Sequence, residues 1–208
     1  RDLAAEGATG IVVVVLSGAL SATMQSAELA ARSVADLVPV RVIDSRSVTL
    51  GLGTNALACA RRAADGASLD EVAALATDVA IRTRVFGALG TLDNLKKGGR
   101  IGGAKAMLAT ALSIKPIIEV KDGVVEEGGK QRTRGKALRF LVDKVTQYEG
   151  RIGDLAVLHA ACDDVDEFVA MLRPHYDGEI VVGDIGPVVG THAGRGTIGV
   201  AFNARNRA

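Results

Sequence analysis

A chain of 208 residues with 48% apolar content is long enough to bury a core, as one large domain or two small ones. Its 25 Lys and Arg nearly balance 24 Asp and Glu, which excludes a broad field that would draw nucleic acid or an acidic membrane surface. The longest strand-like apolar run, residues 11–16, falls far short of the ~20 residues that cross a bilayer. Cys59 and Cys162 stand apart outside any C-x-x-C pair, so no metal knuckle or redox couple is indicated and a reducing cytoplasm is expected.

The chain opens on Arg1 without a Met, and residues 2–7 read as the tail of a helix, so a missing N-terminal segment is expected. Residues 11–16 (Ile-Val-Val-Val-Val-Leu) show no alternation, the pattern of a parallel strand covered on both faces. From Ala27, apolar residues at Ala30, Ala31, Val34, Leu37 and Val38 follow the spacing of one helix face. Residues 40–43 predict a short strand with Asp44-Ser45 as its exit, and an Ala-rich helix follows over 52–64. Ser68 with Glu71 forms a capping box ahead of a third helix through Val79, and residues 85–89 predict another strand. Strands alternating with helices predict parallel βαβ units through about Leu95.

Beyond Lys96-Lys97-Gly98-Gly99-Arg100 the pattern changes. Residues 117–120 and 124–127 flank Asp122-Gly123, a dipeptide that favours a tight antiparallel hairpin. Helices are predicted over 137–148 and over 165–172, the latter behind an Asp164 and Glu167 capping pair, with strands at 155–159, 180–182 and 199–202. The chain reads as two α/β halves meeting near Arg100. Residues 1–98 belong to a parallel, doubly wound α/β domain, and residues 99–208 to an α/β domain on a mixed or antiparallel sheet with helices.

The segment Leu16-Ser17-Gly18-Ala19-Leu20-Ser21-Ala22-Thr23 joins a buried strand to a helix, where free amides and the positive helix end favour an anion. It matches neither a Walker A loop nor G-x-G-x-x-G, so a carboxylate or small anion suits it better than a nucleotide. Equally, Ser21 or Thr23 can simply cap the helix. His192 lies in the Gly-rich stretch Val189-Gly190-Thr191-His192-Ala193-Gly194-Arg195-Gly196, where it could donate to a carboxylate, act as a base, or serve as an ordinary turn residue. His159 and His175 read as structural. Ser21, His192 and Asp44 supply the residue types of a hydrolytic triad, which makes a serine hydrolase the competing reading, although no G-x-S-x-G elbow surrounds either serine. Asp44-Ser45 also suits an Asx turn. Lys96, Lys97, Arg100 and Lys105, then Lys130, Arg132, Arg134 and Lys136, form two basic clusters that would attract phosphate if folded together, and are otherwise solvated surface.

Taken in order, Leu16-Ser17-Gly18-Ala19-Leu20-Ser21-Ala22-Thr23-Met24-Gln25-Ser26-Ala27, Val42-Ile43-Asp44-Ser45 and Thr91-Leu92-Asp93-Asn94-Leu95-Lys96-Lys97-Gly98-Gly99-Arg100-Ile101 resemble the DegV family. Ile114-Lys115-Pro116-Ile117, Asp122-Gly123, Lys130-Gln131-Arg132 and His192-Ala193-Gly194-Arg195-Gly196 extend the resemblance along nearly the whole chain. The resemblance implies two α/β domains enclosing one fatty-acid chain in a long apolar tunnel. It also implies that the bacterial members act as non-catalytic carriers, presenting the acyl group to a separate ATP-dependent fatty-acid kinase that makes acyl phosphate for phospholipid synthesis. No metal and no cofactor other than the bound fatty acid is then expected, nor any nucleic acid or stable membrane insertion, beyond transient contact with a membrane surface. Ser21 matches the serine that binds the carboxylate, in a turn with Ser17, Ala22 and Thr23, and His192 matches the histidine of a His-x-Gly-x-Gly element. Arg100 and Arg132 match basic residues at the tunnel mouth, where the kinase would dock. The chain departs from the family at Ala22, where Gly is usual, and at Ala193 and Arg195, where Thr and Pro are usual. A preceding Thr-Ser-Gln-Pro loop, whose threonine helps to hold the carboxylate, is also not among these residues.

Overall fold

The structure is a computed structural model that describes residues 1–205, with every side chain among them except those of 109–113. A short helix α1 (Asp2–Ala5) leads into β1 (Ile11–Val15), α2 (Thr23–Arg32), β2 (Val40–Asp44), α3 (Thr49–Ala64) and α4 (Leu69–Arg82). There follow β3 (Thr83–Ala88), α5 (Asp93–Lys97), a 3-10 stretch (Gly102–Ser113), β4 (Lys115–Lys121), β5 (Val124–Gln131) and α6 (Arg134–Thr146). The chain continues through β6 (Ile152–His159), α7 (Val165–Leu172), β7 (Ile180–Asp184), α8 (Pro187–Ala193) and β8 (Ile198–Ala204).

The strands form two sheets among the described residues. β1 and β2 pair in parallel, Ile11 opposite Val40 and Val15 opposite Asp44. Val12, Val14 and Ile43 point to Cys59 of α3 and Val72 and Ala76 of α4, while α2 runs against the same two strands. The other sheet has six strands in the order β5-β4-β3-β8-β6-β7. Its central strands are apolar on both faces because both are covered. Phe86, Val157, Ile198, Val200 and Phe202 face Leu138, Leu141 and Val145 of α6 and Phe168 and Leu172 of α7. The alternate residues Val85, Val120, Ala156, Leu158 and Ala201 face the opposite way, toward Val48 and Leu50 at the start of α3. Helix α3 thus touches both sheets, and Arg61 holds Asp154 of β6 at 2.6 Å.

The mixed α/β fold with a small parallel sheet agrees with the sequence reading, with one correction. β3, expected in the parallel sheet, is antiparallel to both of its neighbours, β4 and β8, in the six-stranded sheet. An unbroken apolar run reports burial on both faces and carries no information on strand direction. The capping box is present, Ser68 accepting from the Glu71 amide and Glu71 from that of Ser68. Helix α2 starts earlier than predicted and ends at Arg32, not at residue 38. There the Ser33 hydroxyl bonds the Ala30 carbonyl at 2.8 Å, and Pro39 disfavours helical backbone at Val38. Asp164 makes no side-chain cap on α7, its carboxylate being held by Arg134 instead. The Asp122-Gly123 turn joins β4 to β5 directly, Lys121 opposite Val124, with both turn residues at positive φ, as a tight hairpin requires.

Candidate functional site

β1 ends by delivering Ser17 into a turn that is fastened at almost every residue. The Ser17 amide donates to the Ser47 carbonyl at 2.9 Å, and its hydroxyl, fully buried, donates to the Gly123 carbonyl at 2.6 Å while accepting from the Ala19 amide. The Gly18 amide donates to Asp44 Oδ2 at 3.2 Å, and Asp44 Oδ1 accepts the Arg46 amide at 2.7 Å, the Asx turn read from the sequence. The amides of Leu20 and Ser21 both return to the Ser17 carbonyl. The turn therefore presents Ser21 at the start of α2 from a rigid base.

The Ser21 hydroxyl accepts the Thr23 amide at 3.3 Å and lies 2.8 Å from the Thr23 hydroxyl. Ser21 stands one residue before the N-cap, Ala22, where no side-chain cap forms, so the cap expected of Ser21 or Thr23 is not found and the Ser21 hydroxyl closes a local turn onto the first helical amide instead. That turn and ligand binding are compatible. A pair of hydroxyls shares only one proton between them, so one O–H of Ser21 and Thr23 remains able to donate to an anion. The first-turn amides of α2, which have no intrahelical acceptor, add positive potential at the same place.

Arg100 closes the turn from the other side, its Nε donating to the Leu20 carbonyl at 3.2 Å and its Nη1 to the Gly98 carbonyl at 2.9 Å. Above Gly98 sits the ring of His192, near the C-terminal end of α8; a Cβ on Gly98 would collide with its Nδ1 and Cε1. Nδ1 is buried and has no hydrogen-bond partner among the described residues. A buried ring nitrogen left unpaired is uncommon and costs free energy until something meets it.

Ser21, Arg100 and His192 meet at one cavity. It has a volume of about 180 Å³ and is walled by Leu16, Leu20, Val48, Leu95, Ile118 and Val120, with Val125, Val188, Val189 and Ala193 also in the apolar lining. Leu20, Leu95, Ile118 and Val125 belong to one core cluster, Val48, Val120 and Val189 to another, so the cavity is the seam between two cores. Outside it, a polar cleft of about 410 Å³ is lined by residues 18–22, Gln25, Gly99, Arg100, Gly102, Val124 and Val125. The two share Leu20, Ser21, Arg100 and Val125, and the apolar seam therefore opens at the start of α2.

The other sequence candidates fall at different distances from this seam. Ala22 lines the polar cleft, and Thr23 acts through Ser21. Ser17 lines neither cavity and supports the turn from below. Arg132 is exposed at the end of β5 and lines neither cavity. Ser21, His192 and Asp44 are not joined as a triad: the Asp44 carboxylate is taken by the amides of Gly18 and Arg46, and among the described residues no carboxylate is paired with His192. Sequence reading missed the apolar wall and the supporting role of Gly98. Ile118 and Val120 do share one face of a strand by their period of two, but which element that face meets is a long-range matter. Among the described residues, no group of three or more His, Cys, Asp or Glu could hold a metal ion, and no helix is long and apolar enough to cross a membrane.

A family model described as "Uncharacterised protein, DegV family" matches residues 1–205. A DegV domain-containing protein of Mycobacterium tuberculosis is 44% identical over 209 aligned residues, covering 98% of this chain and 73% of the relative. One of Streptomyces coelicolor is 38% identical, over 99% of this chain and 74% of its own length. Among solved structures, a fatty-acid-binding DegV family protein from Thermus thermophilus aligns with a TM-score of 0.86 at 34% identity, over 98% of this chain and 74% of that one. A stearic acid-binding protein from Eubacterium ventriosum aligns with a TM-score of 0.88 at 25% identity, over 99% of this chain and 73% of that one.

Proposed function

The chain belongs to the DegV family, and from that premise we propose that it holds one long-chain fatty acid, tail in the apolar seam and carboxylate at Ser21. The observation that carries this reading is the opening of an apolar cavity onto Ser21, Arg100 and His192 and, among the described residues, onto no other polar side chain. A hydrocarbon tail gains about 0.8 kcal/mol for each buried methylene and needs no polar partner along its length. A carboxylate needs donors at one end only, and the Ser21 and Thr23 hydroxyls, the α2 amides and the ring of His192 converge there. Ser17 and Ala22 contribute backbone shape.

At about 180 Å³ the seam is smaller than the ~300–1,000 Å³ of a typical ligand pocket. A long chain therefore enters by parting the two clusters on either side. The polar cleft beyond Ser21 leaves the carboxylate reachable from outside, which suits a carrier whose acyl group is phosphorylated by a separate ATP-dependent kinase. In this reading the chain itself performs no catalysis and takes no metal or cofactor. Arg100 and Arg132 face the kinase or its phosphates, the protein works in the cytoplasm for phospholipid synthesis, and it touches membranes only transiently.

Mass spectrometry of gently extracted protein tests the core of this. A co-purifying fatty acid, or uptake of one by the purified chain, is the expected result; neither occurring would end the fatty-acid reading. A fluorophosphonate probe should leave Ser21 unlabelled, since labelling there would indicate a serine hydrolase instead.

A further inference from the structure

We propose that Arg134 and Asp164 form a clamp that sets the position of His192, and through it the hold on the ligand; the ligand half of this rests on the fatty-acid reading above. Arg134 stands at the first position of α6, directly after Thr133, whose hydroxyl accepts the Lys136 amide at 3.3 Å and so anchors the start of that helix. Its guanidinium meets Asp164 as a two-pronged fork, Nε to Oδ2 and Nη2 to Oδ1, each at 2.8 Å. The remaining Nη1 donates to the Gly196 carbonyl at 2.6 Å. The fork occupies both carboxylate oxygens and leaves the third nitrogen aimed at the loop between α8 and β8.

That loop needs an outside hold. Gly194 and Gly196 both have positive φ, at 84° and 78°, and with no side chains they cannot pack themselves into place. Besides Arg134, the Gly196 amide donates to the Ala160 carbonyl at 2.8 Å. The Thr197 hydroxyl donates to the Ala193 carbonyl at 2.9 Å, at the residue that follows His192. The His192 Nδ1 has no hydrogen-bond partner of its own among the described residues. His192 itself lies in α8 with its ring over Gly98, and the bonds at Ala193 and Gly196 hold the C-terminal end of that helix and the loop that follows it. Arg134 is a positioning residue, remote from the ligand and acting through the loop.

Two measurements test the clamp. In the full chain without ligand, Arg134→Lys and Asp164→Asn each break the fork; both are expected to shift and broaden the NMR signal of the His192 Cε1–H group. The His175 signal should stay in place, since that ring pairs with Glu149 elsewhere. An unmoved His192 signal in the folded variants overturns the proposal, whether or not lipid binds. With a fluorescent fatty acid as probe, Arg134→Lys should weaken binding roughly tenfold, as expected for disturbing one hydrogen bond to a charged group. In a His192→Ala background the same change should cost less than about twofold, because an effect relayed by His192 vanishes with it. Equal losses in both backgrounds would show that Arg134 acts by another route. If the unaltered chain binds no probe, the fatty-acid reading fails and the NMR comparison alone decides the clamp.

Discussion

The hydroxyl of Ser17 donates to the carbonyl of Gly123 across 2.6 Å, joining residues 106 positions apart. Together with the Arg46–Asp122 ion pair at 2.9 Å, this bond ties the tip of the β4–β5 hairpin to the β1 and β2 exits, so the polar and apolar walls of the candidate site share a common anchor. A Cβ on Gly123 would lie 2.7 Å from that hydroxyl, and φ there is +83°, so glycine is needed for both closeness and conformation.

Ser17→Ala leaves the Gly123 carbonyl without its donor in a buried place. The expected loss is about 1–3 kcal/mol of folding stability, read from the denaturant midpoint. A midpoint unchanged from the parent chain would mean that the hairpin tip is held by other contacts.

Ser21→Ala separates support of the helix start from ligand binding. Loss of the bond from the Thr23 amide should cost about 0.5–1.5 kcal/mol of stability. Loss of a donor to the carboxylate should weaken fatty-acid binding by about 1.5–3 kcal/mol, measured by titration with a fluorescent fatty acid. Binding that stays unchanged while stability falls would reduce Ser21 to a structural support of the turn.

Gly98 and its neighbour Gly99 form a matched pair. Gly98→Ala drives a methyl group into the His192 ring and should weaken ligand binding about as much as His192→Ala does. Gly99 has φ +69° with nothing within 4 Å of a Cβ, so Gly99→Ala should cost only about 1–2 kcal/mol of backbone strain. Similar binding losses for the two substitutions would show that displacement of His192 is not the cause.

Acid should loosen the Arg134–Asp164 fork in a defined direction. The Arg134 guanidinium lowers the carboxyl of Asp164 below its ordinary value of 3.8, chiefly through their hydrogen bonds. Well above 3.8 the carboxyl is ionised in both folded and unfolded chains, and its stabilising contribution is complete. As pH falls further, the unfolded chain takes up the proton first, and the contribution fades until the folded carboxyl protonates too. Denaturation midpoints of the parent and Asp164→Asn should therefore differ at neutral pH and converge in strong acid. A gap that persists below that range would assign the difference to something other than this charge.

Local patterns carried most of the fold. The Ser68–Glu71 box and the Asp122-Gly123 turn each act within a few residues and appear as read, and the helix predicted over 137–148 forms over Arg134–Thr146 with Leu138, Leu141, Val142 and Val145 buried. The failures came where two distant segments compete. β3 looked like another parallel strand because its composition responds to burial, while its direction depends on β4 and β8 meeting it from later in the chain. Asp164 looked like a helix cap until Arg134, 30 residues earlier, took both of its oxygens.

The Ser17 to Thr23 turn shows the same division within the site. Strand, turn, hydroxyls and helix start are neighbours in sequence, so a turn of the kind that can seat an anion was legible from residue order and helix physics. That Ser17 turns inward to Gly123 while Ser21 lines the cavity was not legible in the local pattern, because the two serines differ in what distant chain packs against them. The apolar seam is further still from local control: Leu20, Val48, Leu95, Val120 and Val189 become its wall only when two separate cores fold side by side. Hydrogen bonds and turns act over a few residues and can be read in order. A cavity is the space left between packed elements, and it exists only once all of them are in place.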